Sequence, residues 1–193
     1  NVDDVAFLRD LIQAIGRQFN LDRKRVYLVG HSNGSQMGYR MACESADLIA
    51  GIATLAGLRP LDYGLCQPSE PVNILHIHGT ADAAYGYWGG AFTNPPWPWN
   101  SFAFPGVVQN LQNWAGYNDA HDPVTDSGPS LNLDLAIAGL DSVITRYMTS
   151  PPGGAVELWT INGGHHSPTF YNSTSASEFA PRVVDWLLAH PKP

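Results

Sequence analysis

Hydrophobic residues recur at helical spacing in some stretches of the chain and run consecutively, as in buried strands, in others. Residues 3–19 carry apolar side chains at helical spacing, and Asp3 and Asp4 stand at the start, where the helix dipole favours anions. A second helical pattern covers residues 34–44, and short apolar runs typical of strands occupy residues 25–30, 48–55 and 72–78. Strands that alternate with helices in this way predict βαβ units and a parallel sheet.

The second half of the chain has a less regular pattern. Residues 83–105 are rich in aromatic residues and proline. The elements predicted after them are a helix at 106–114, a turn-rich stretch at 117–131, strands at 142–148 and 155–161, and a helix at 178–190. The sequence therefore predicts one α/β domain over residues 1–193, a mainly parallel sheet flanked by helices, with an insertion at about 83–105.

Composition and charge argue against two classes of partner. The chain has 193 residues, a net charge of −7 and one cluster of basic residues, Arg23-Lys24-Arg25. A surface that follows a phosphate backbone needs clustered Lys or Arg, so we expect no nucleic-acid partner. A membrane-spanning helix needs about 20 apolar residues in succession, and no run approaches that length, so we expect no membrane partner.

The most specific motif is Gly30-His31-Ser32-Asn33-Gly34, which lies between the first predicted strand and the helix that follows it. This is the context of a nucleophile elbow, in which a strained turn projects a serine hydroxyl from the end of the sheet. Small residues are needed two positions before and two after the serine, because strand and helix nearly touch there. We therefore predict Ser32 as a nucleophile and the backbone N–H of Asn33 as an oxyanion donor.

A serine nucleophile needs a base, and the base needs an acid that orients it. In this strand–turn–helix architecture the acid follows the serine in the chain and the histidine comes last. Asp82 follows the predicted strand at 72–78, whereas the later candidate aspartates lie in loops or turns. His165 and His166 follow the last strand on a glycine-rich loop, and either can serve as base. We take Ser32, Asp82 and His165 as the catalytic residues.

Two other functions are compatible with parts of the sequence. His76 and His78 lie on one face of a predicted strand and, with a histidine of the 165–166 pair, can form a zinc site like those of metal hydrolases. The simpler interpretation makes the two strand histidines core residues, and on it we predict no metal and no cofactor. The second alternative is a non-catalytic module that binds carbohydrate or polymer through the aromatic segment.

Several runs of the chain resemble the family of polyhydroxybutyrate depolymerases and feruloyl esterases. They are residues 3–8, 25–34, 76–82, 89–90 and 163–165, with Pro168 three residues further on. The resemblance implies an extracellular serine esterase that acts on small-molecule or polymer esters of short-chain, hydroxyalkanoate, feruloyl or acetyl type. It implies Ser32 as nucleophile, Asp82 as acid and His165, not His166, as base.

The resemblance carries further expectations. In that family a cysteine after the elbow helix often bridges to one in the following loop, which implies a disulfide between Cys43 and Cys66. The aromatic segment is the expected substrate-facing region. The side chains that we expect to bind substrate are His31, Tyr87, Trp88, Trp97 and Trp99.

Family members also carry several strands before the helix that opens this sequence, and with them a loop that supplies a second oxyanion donor. Residues 1–193 contain no such segment. We therefore expect the fold to lack those strands and residues 26–29 to form an open sheet edge. That run contains no proline and no charge to protect it. Such an edge is expected to pair with an N-terminal fragment or, as a homodimer, with a second copy.

Overall fold

A computed structural model describes residues 2–59, 66–92, 102–149 and 154–192. The helices in these ranges are α1 (Asp4–Gln18), α2 (Asn33–Glu44), α3 (Val107–Tyr117) and α4 (Phe179–Ala189). The strands are β1 (Tyr27–His31), β2 (Gly51–Leu55), β3 (Asn73–Gly79), β4 (Gly90–Phe92), β5 (Phe102–Phe104), β6 (Ala120–Thr125), β7 (Ser142–Thr149) and β8 (Val156–Ile161). Most predicted elements are therefore present, with bounds shifted by a few residues.

Six strands form one sheet in the order β1-β2-β3-β8-β7-β6. The pairs β1–β2, β2–β3 and β3–β8 are parallel, and β7 pairs antiparallel with both β8 and β6. The prediction of a mainly parallel α/β sheet is confirmed. Because the four parallel strands point the same way, the loops that follow β1, β3 and β8 all leave the sheet at one edge.

Helices cover the sheet on both faces and bury two apolar clusters. The first cluster includes Tyr39 of α2, Ile52 and Ile74 of the sheet, and Leu111 and Trp114 of α3. The second cluster joins the opposite face of the sheet to Val183, Trp186 and Leu187 of α4. Because the sheet is covered on both faces, every residue of β2 and β3 is buried, including the polar side chains of Thr54, His76 and His78.

The predicted bridge between Cys43 and Cys66 is present and is confirmed. Cys43 lies in the last turn of α2, and Cys66 lies in the connection between β2 and β3. The disulfide therefore joins the helix after the elbow to a loop that follows the neighbouring strand.

Two parts of the chain differ from the prediction. The polar stretch expected to be turns contains β6, which pairs with β7 across a register shift between His121 and Val124. Its residues beyond Ala120 are exposed, so the strand has no apolar pattern to reveal it. Helix α1 buries Val5, while Leu11 and Phe19 of the predicted apolar set remain exposed.

The aromatic, proline-rich segment is described in part. Its two ends form β4 and β5, which pair antiparallel as a separate ribbon. In the described ranges, no helix is both long enough and apolar enough to span a bilayer.

Candidate active site

Ser32 lies between β1 and α2 in a backbone conformation that L-residues rarely adopt. Its φ is 56° and its ψ is −118°, and its N–H donates to the carbonyl of Leu55 at 2.8 Å. A residue held this way costs about 1–3 kcal/mol, so the surrounding structure must impose the conformation. The turn is a nucleophile elbow in its geometry.

Close contact between strand and helix shapes this elbow. A Cβ added at Gly30 would lie 2.3 Å from the carbonyl oxygen of Gly34, whereas one added at Gly34 would meet no atom within 4 Å among the described residues. The expectation that both positions must be small is therefore right for Gly30 and wrong for Gly34. The helix backbone crowds the strand, but the Cα of Gly34 faces away from it.

His166 joins Ser32 to Asp82. Its Nε2 lies 3.0 Å from the Ser32 hydroxyl, and its Nδ1 lies 2.9 Å from Oδ2 of Asp82. Because the carboxylate can only accept, Nδ1 carries the proton and Nε2 presents its lone pair to the hydroxyl. Ser32, His166 and Asp82 thus have the hydrogen-bond arrangement of a Ser-His-Asp triad.

The prediction that His165 would fill this position is wrong for the geometry. His165 is exposed, and the hydrogen bonds to Ser32 and Asp82 come from its neighbour. Gly163 has a φ of +78°, so the loop turns sharply before the two histidines. The direction of that turn, which brings His166 over the elbow, is a property of the folded loop that the order of the two residues does not reveal.

Asp82 is buried and accepts hydrogen bonds on both oxygens. Oδ1 accepts from the backbone N–H groups of Ala84 at 2.8 Å and Tyr85 at 2.9 Å, and Oδ2 faces His166 and, at 3.3 Å, Nε2 of His78. Burial opposes ionisation, but the hydrogen bonds from His78, His166 and the Tyr85 N–H outweigh it and lower the pKa of Asp82 to about 2. The carboxylate is therefore ionised throughout the range in which histidine titrates.

Backbone contact holds the loop after β3, which carries Asp82, against the loop after β8, which carries His166. A Cβ on Gly79 would lie 2.1 Å from the carbonyl oxygen of Gly164, and the N–H of Ala81 donates to that oxygen at 2.9 Å. The two loops meet with no side chain between them. This contact fixes Asp82 and His166 relative to each other before either side chain is considered.

Asn33 begins α2, so its N–H has no intrahelical acceptor and is available as a donor next to Ser32. Its role as an oxyanion donor stays a prediction. His31 lies against the loop after β8. Its Nε2 is 2.8 Å from the carbonyl oxygen of His166, and the rings of His31 and His166 are 5.0 Å apart.

The expected substrate-binding aromatics fall into three groups. Tyr87 is buried and its hydroxyl bonds to Thr160 at 2.9 Å, so its side chain belongs to the core, contrary to expectation. Trp88 is 82% exposed and remains open to a ligand. Trp97 and Trp99 lie outside the described residues.

The zinc alternative finds no support in the geometry of its histidines. Nε2 of His76 lies 3.0 Å from Nδ1 of His78, so the two rings bond to each other. Among the described residues no three His, Cys, Asp or Glu side chains converge as a possible metal site.

Tyr85 is a site residue that sequence reasoning did not single out. Its ring is 5.8 Å from that of His166 and nearly parallel to it, and its carbonyl oxygen is 2.7 Å from Nε2 of His78. Its position three residues after Asp82 was a usable signal, because a carboxylate often accepts from backbone N–H groups two and three residues later.

Known proteins resemble the chain over most of its length. A model of the alpha/beta hydrolase family matches residues 1–182. Feruloyl esterase D of Neurospora crassa is 23% identical over 94% of this chain and 53% of its own length. The oxidized polyvinyl alcohol hydrolase of a Sphingopyxis species is 26% identical over 98% of the chain and 48% of its own length.

A more local match is stronger in identity. The bifunctional acetylxylan esterase/xylanase XynS20E of Neocallimastix patriciarum is 34% identical over 44% of this chain and 12% of its own length. The chain thus spans about half the length, or less, of these curated relatives. Since the family model covers nearly the whole sequence and the elbow, sheet and strand-end residues agree with it, the chain belongs to the alpha/beta hydrolase family.

Proposed function

We propose that this chain is a serine carboxylic-ester hydrolase in which Ser32 is the nucleophile, His166 the general base and Asp82 the acid that orients the base. The observation that carries the proposal is the continuous hydrogen-bonded line from the Ser32 hydroxyl through His166 to Asp82 at 3.0 and 2.9 Å. The relatives named as esterases support the class of reaction.

The proposed reaction has two halves. Ser32 Oγ attacks the ester carbonyl while Nε2 of His166 takes its proton, and the oxyanion is stabilised by the N–H of Asn33. The tetrahedral species then releases the alcohol, which receives the proton from His166, and leaves an acyl group on Ser32. Water attacks this acyl-enzyme with His166 again as base, and the carboxylic acid leaves as Ser32 regains its proton.

The substrate class is proposed from the relatives and from the exposed aromatic side chain of Trp88. Relatives carry acetylxylan esterase and feruloyl esterase in their names, so acetyl and feruloyl esters are the first candidates, with hydroxyalkanoate esters beside them. Trp88 is exposed beside the buried Tyr87 and offers a flat apolar surface that suits an aromatic acyl group.

We place the protein in an oxidising, extracellular compartment. The Cys43–Cys66 disulfide supports this placement, since such bonds persist outside the reducing cytosol.

A fluorophosphonate probe tests the nucleophile directly. Active protein should be labelled on Ser32 and should turn over p-nitrophenyl acetate and methyl ferulate. Ser32→Ala should lose labelling and about 10⁶-fold in kcat, whereas Ser167→Ala, which changes an exposed serine next to His166, should retain both. Folded protein that neither reacts with the probe nor hydrolyses the esters would contradict the proposal and favour a binding module.

A further inference from the structure

A line of buried polar side chains runs from the helix layer through β3 to the carboxylate of the proposed triad. Asn110 of α3 lies 2.9 Å from the hydroxyl of Tyr39, which lies 2.8 Å from Nδ1 of His76. Nε2 of His76 is 3.0 Å from Nδ1 of His78, and Nε2 of His78 lies 3.3 Å from Oδ2 of Asp82. The two strand histidines are completely buried.

The donor and acceptor capacities of the groups along this line determine the direction of its hydrogen bonds. Nε2 of His78 lies 2.7 Å from the carbonyl oxygen of Tyr85, which can only accept, so Nε2 carries a proton. In a neutral ring Nδ1 of His78 then accepts, which requires the proton of His76 to be on Nε2. Nδ1 of His76 in turn accepts from a hydroxyl, that of Tyr39 or that of Thr54, each 2.8 Å away, and the Tyr39 oxygen accepts from the amide of Asn110. The donors therefore run from α3 toward His78, and the Nε2–H of His78 lies between the Tyr85 carbonyl and Asp82.

Complete burial favours the neutral ring of His76 in this line. Burial, with His78 next to it, lowers the pKa of His76 well below its usual value. The ionisable groups recorded against His78 are His76, Asp82 and the ring of Tyr87, whose hydroxyl is engaged with Thr160.

We propose that His76 and His78 are positioning residues of the hydrolase, fixed as Nε2–H tautomers, and that His78 holds Oδ2 of Asp82 in register with His166. The proposal rests on the proposed function of that site. Two donors, His78 and His166, then share one carboxylate oxygen, while the backbone N–H groups of Ala84 and Tyr85 hold the other. Nε2 of His78 has one proton and lies between the Tyr85 carbonyl oxygen, at 2.7 Å, and Oδ2 of Asp82, at 3.3 Å, so rotation of the carboxylate would lose this shared contact as well as those with His166 and the backbone N–H groups.

A purely structural role explains the arrangement less well. Two imidazoles in the middle of a buried strand must be desolvated, and apolar side chains of similar size would fill the space without that cost. Hydrogen bonds offset the cost only if every polar atom finds a partner, and here the line of partners ends on the carboxylate that orients the base. A fully connected buried network also fixes its members in one geometry.

Kinetics of three variants test the positioning role on p-nitrophenyl acetate. His78→Leu should lower kcat by about 10–100-fold with little change in KM, a loss of the size seen at metal sites when the partner that orients a ligand is removed. His78→Gln should recover most of this loss, because its amide N–H can replace Nε2–H. Leu75→Ala is the matched control, since Leu75 is buried on the same strand in the opposite apolar cluster; it should lower stability and leave kcat unchanged.

The pH profile supplies a readout that loss of packing alone does not move. The His78 donor is one of the contacts that lower the pKa of Asp82, so its loss raises that pKa, and the acid limb of kcat/KM, which requires the ionised carboxylate, should move to higher pH in His78→Leu. The other ionisable groups recorded against His166 are the rings of His31 and Tyr85, which are unchanged in these variants. Wild-type kcat and pH profile in His78→Leu would overturn the proposal, and so would a fall in kcat that Leu75→Ala shares and that comes with no shift of the acid limb.

Nitrogen-15 NMR of labelled histidines tests the same line without any substrate. In wild-type protein and in Ser32→Ala, two histidines should hold the Nε2–H tautomer, and they should be the signals lost in His76→Gln and His78→Gln. An Nδ1–H tautomer at His78 would refute the orientation. If the tautomers are as expected and no ester is hydrolysed, the network stands and the proposed function fails.

Discussion

Strands β1 and β3 both lead into the proposed active site, but they differ in burial and in the number of strands that pair with them. All seven residues of β3 are buried, and the strand pairs with a neighbour on each side. β1 pairs with β2 alone among the described strands, and its Val29 is 64% exposed. Among the described strands, the nucleophile therefore follows the outermost one on its side of the sheet, and the acid follows an interior one.

The difference shows two ways of fixing a side chain. Ser32 is placed by its own backbone: a strained φ, a hydrogen bond to Leu55 and the close approach of Gly30 to the helix. Asp82 is placed by donors that reach it from β3, from its own loop and from the loop after β8. Changes to the backbone should damage the first position most, and changes to partner side chains the second.

The largest expected effect comes from the residue that joins the two regions. His166→Ala should lower kcat for ester hydrolysis by about 10⁶-fold, because it removes the base that contacts both Ser32 and Asp82. His165→Ala is the matched control and should stay within a few fold of wild type. Steady-state kinetics of the two variants, with circular dichroism to verify folding, would contradict the geometry if their ranking were reversed.

At the elbow, the two glycines should respond in opposite ways. Gly30→Ala should destabilise the protein by about 3 kcal/mol, because the added Cβ would overlap the backbone of Gly34. Gly34→Ala should be neutral or stabilise α2 by about 0.5–1 kcal/mol, since helices prefer alanine and the space is open. Urea unfolding measures both; equal destabilisation by the two variants would show that the elbow is not packed as described.

The disulfide between Cys43 and Cys66 should contribute about as much to the free energy of unfolding as the glycine at position 30. Replacing both Cys43 and Cys66 with serine should cost about 3 kcal/mol, because the unfolded chain is no longer restrained across a separation of 23 residues. Urea unfolding of the double variant, beside wild type in reductant, gives the value. Two free thiols in mass spectra of alkylated, unreduced protein would rule the bridge out.

Asp82, which follows β3, should make the free energy of unfolding depend on pH. The pKa of Asp82 is lowered from 3.8 to about 2 in the folded state, so its ionised form stabilises the fold above about pH 4. That contribution, about 2 kcal/mol, is lost as pH falls from 4 through 2. Unfolding free energies of Asp82→Asn should fall less steeply over this interval than those of wild type, and Asp10→Asn, an exposed control, should match wild type.

The smallest expected effect concerns the two edges of the sheet. Of the two pairings expected for the exposed edge of β1, with an N-terminal segment or with a second copy of the chain, we propose the second for residues 1–193, whereas β6 carries Pro123 and a register shift that blunt its edge. Val29→Lys should weaken self-association about tenfold, or ~1.4 kcal/mol. Val124→Lys, on the other edge, should not change it. Sedimentation at increasing concentration that finds only monomer would reject the pairing.

The sequence alone determined the elements whose signal is local. An apolar strand, a Gly-His-Ser-Asn-Gly turn and a helical pattern follow one another, and these suffice to place Ser32 and to predict a parallel sheet, because strand, turn and helix are each encoded by neighbouring residues. Asp82 could be chosen for the same reason, since it follows a clearly apolar strand.

Tertiary structure decided what depends on contacts between distant residues. The choice of His166 over His165 depends on how the loop after β8 turns and contacts Gly79, and adjacent residues with the same side chain give no signal of it. Strand β6 forms because β7 offers it a partner, although its own pattern is polar. Tyr87 is buried, and His78 reaches Asp82, because helices and loops from elsewhere in the chain close over β3. Side-chain orientation and buried polar partners are set by packing, and packing is fixed only when the whole sheet is assembled.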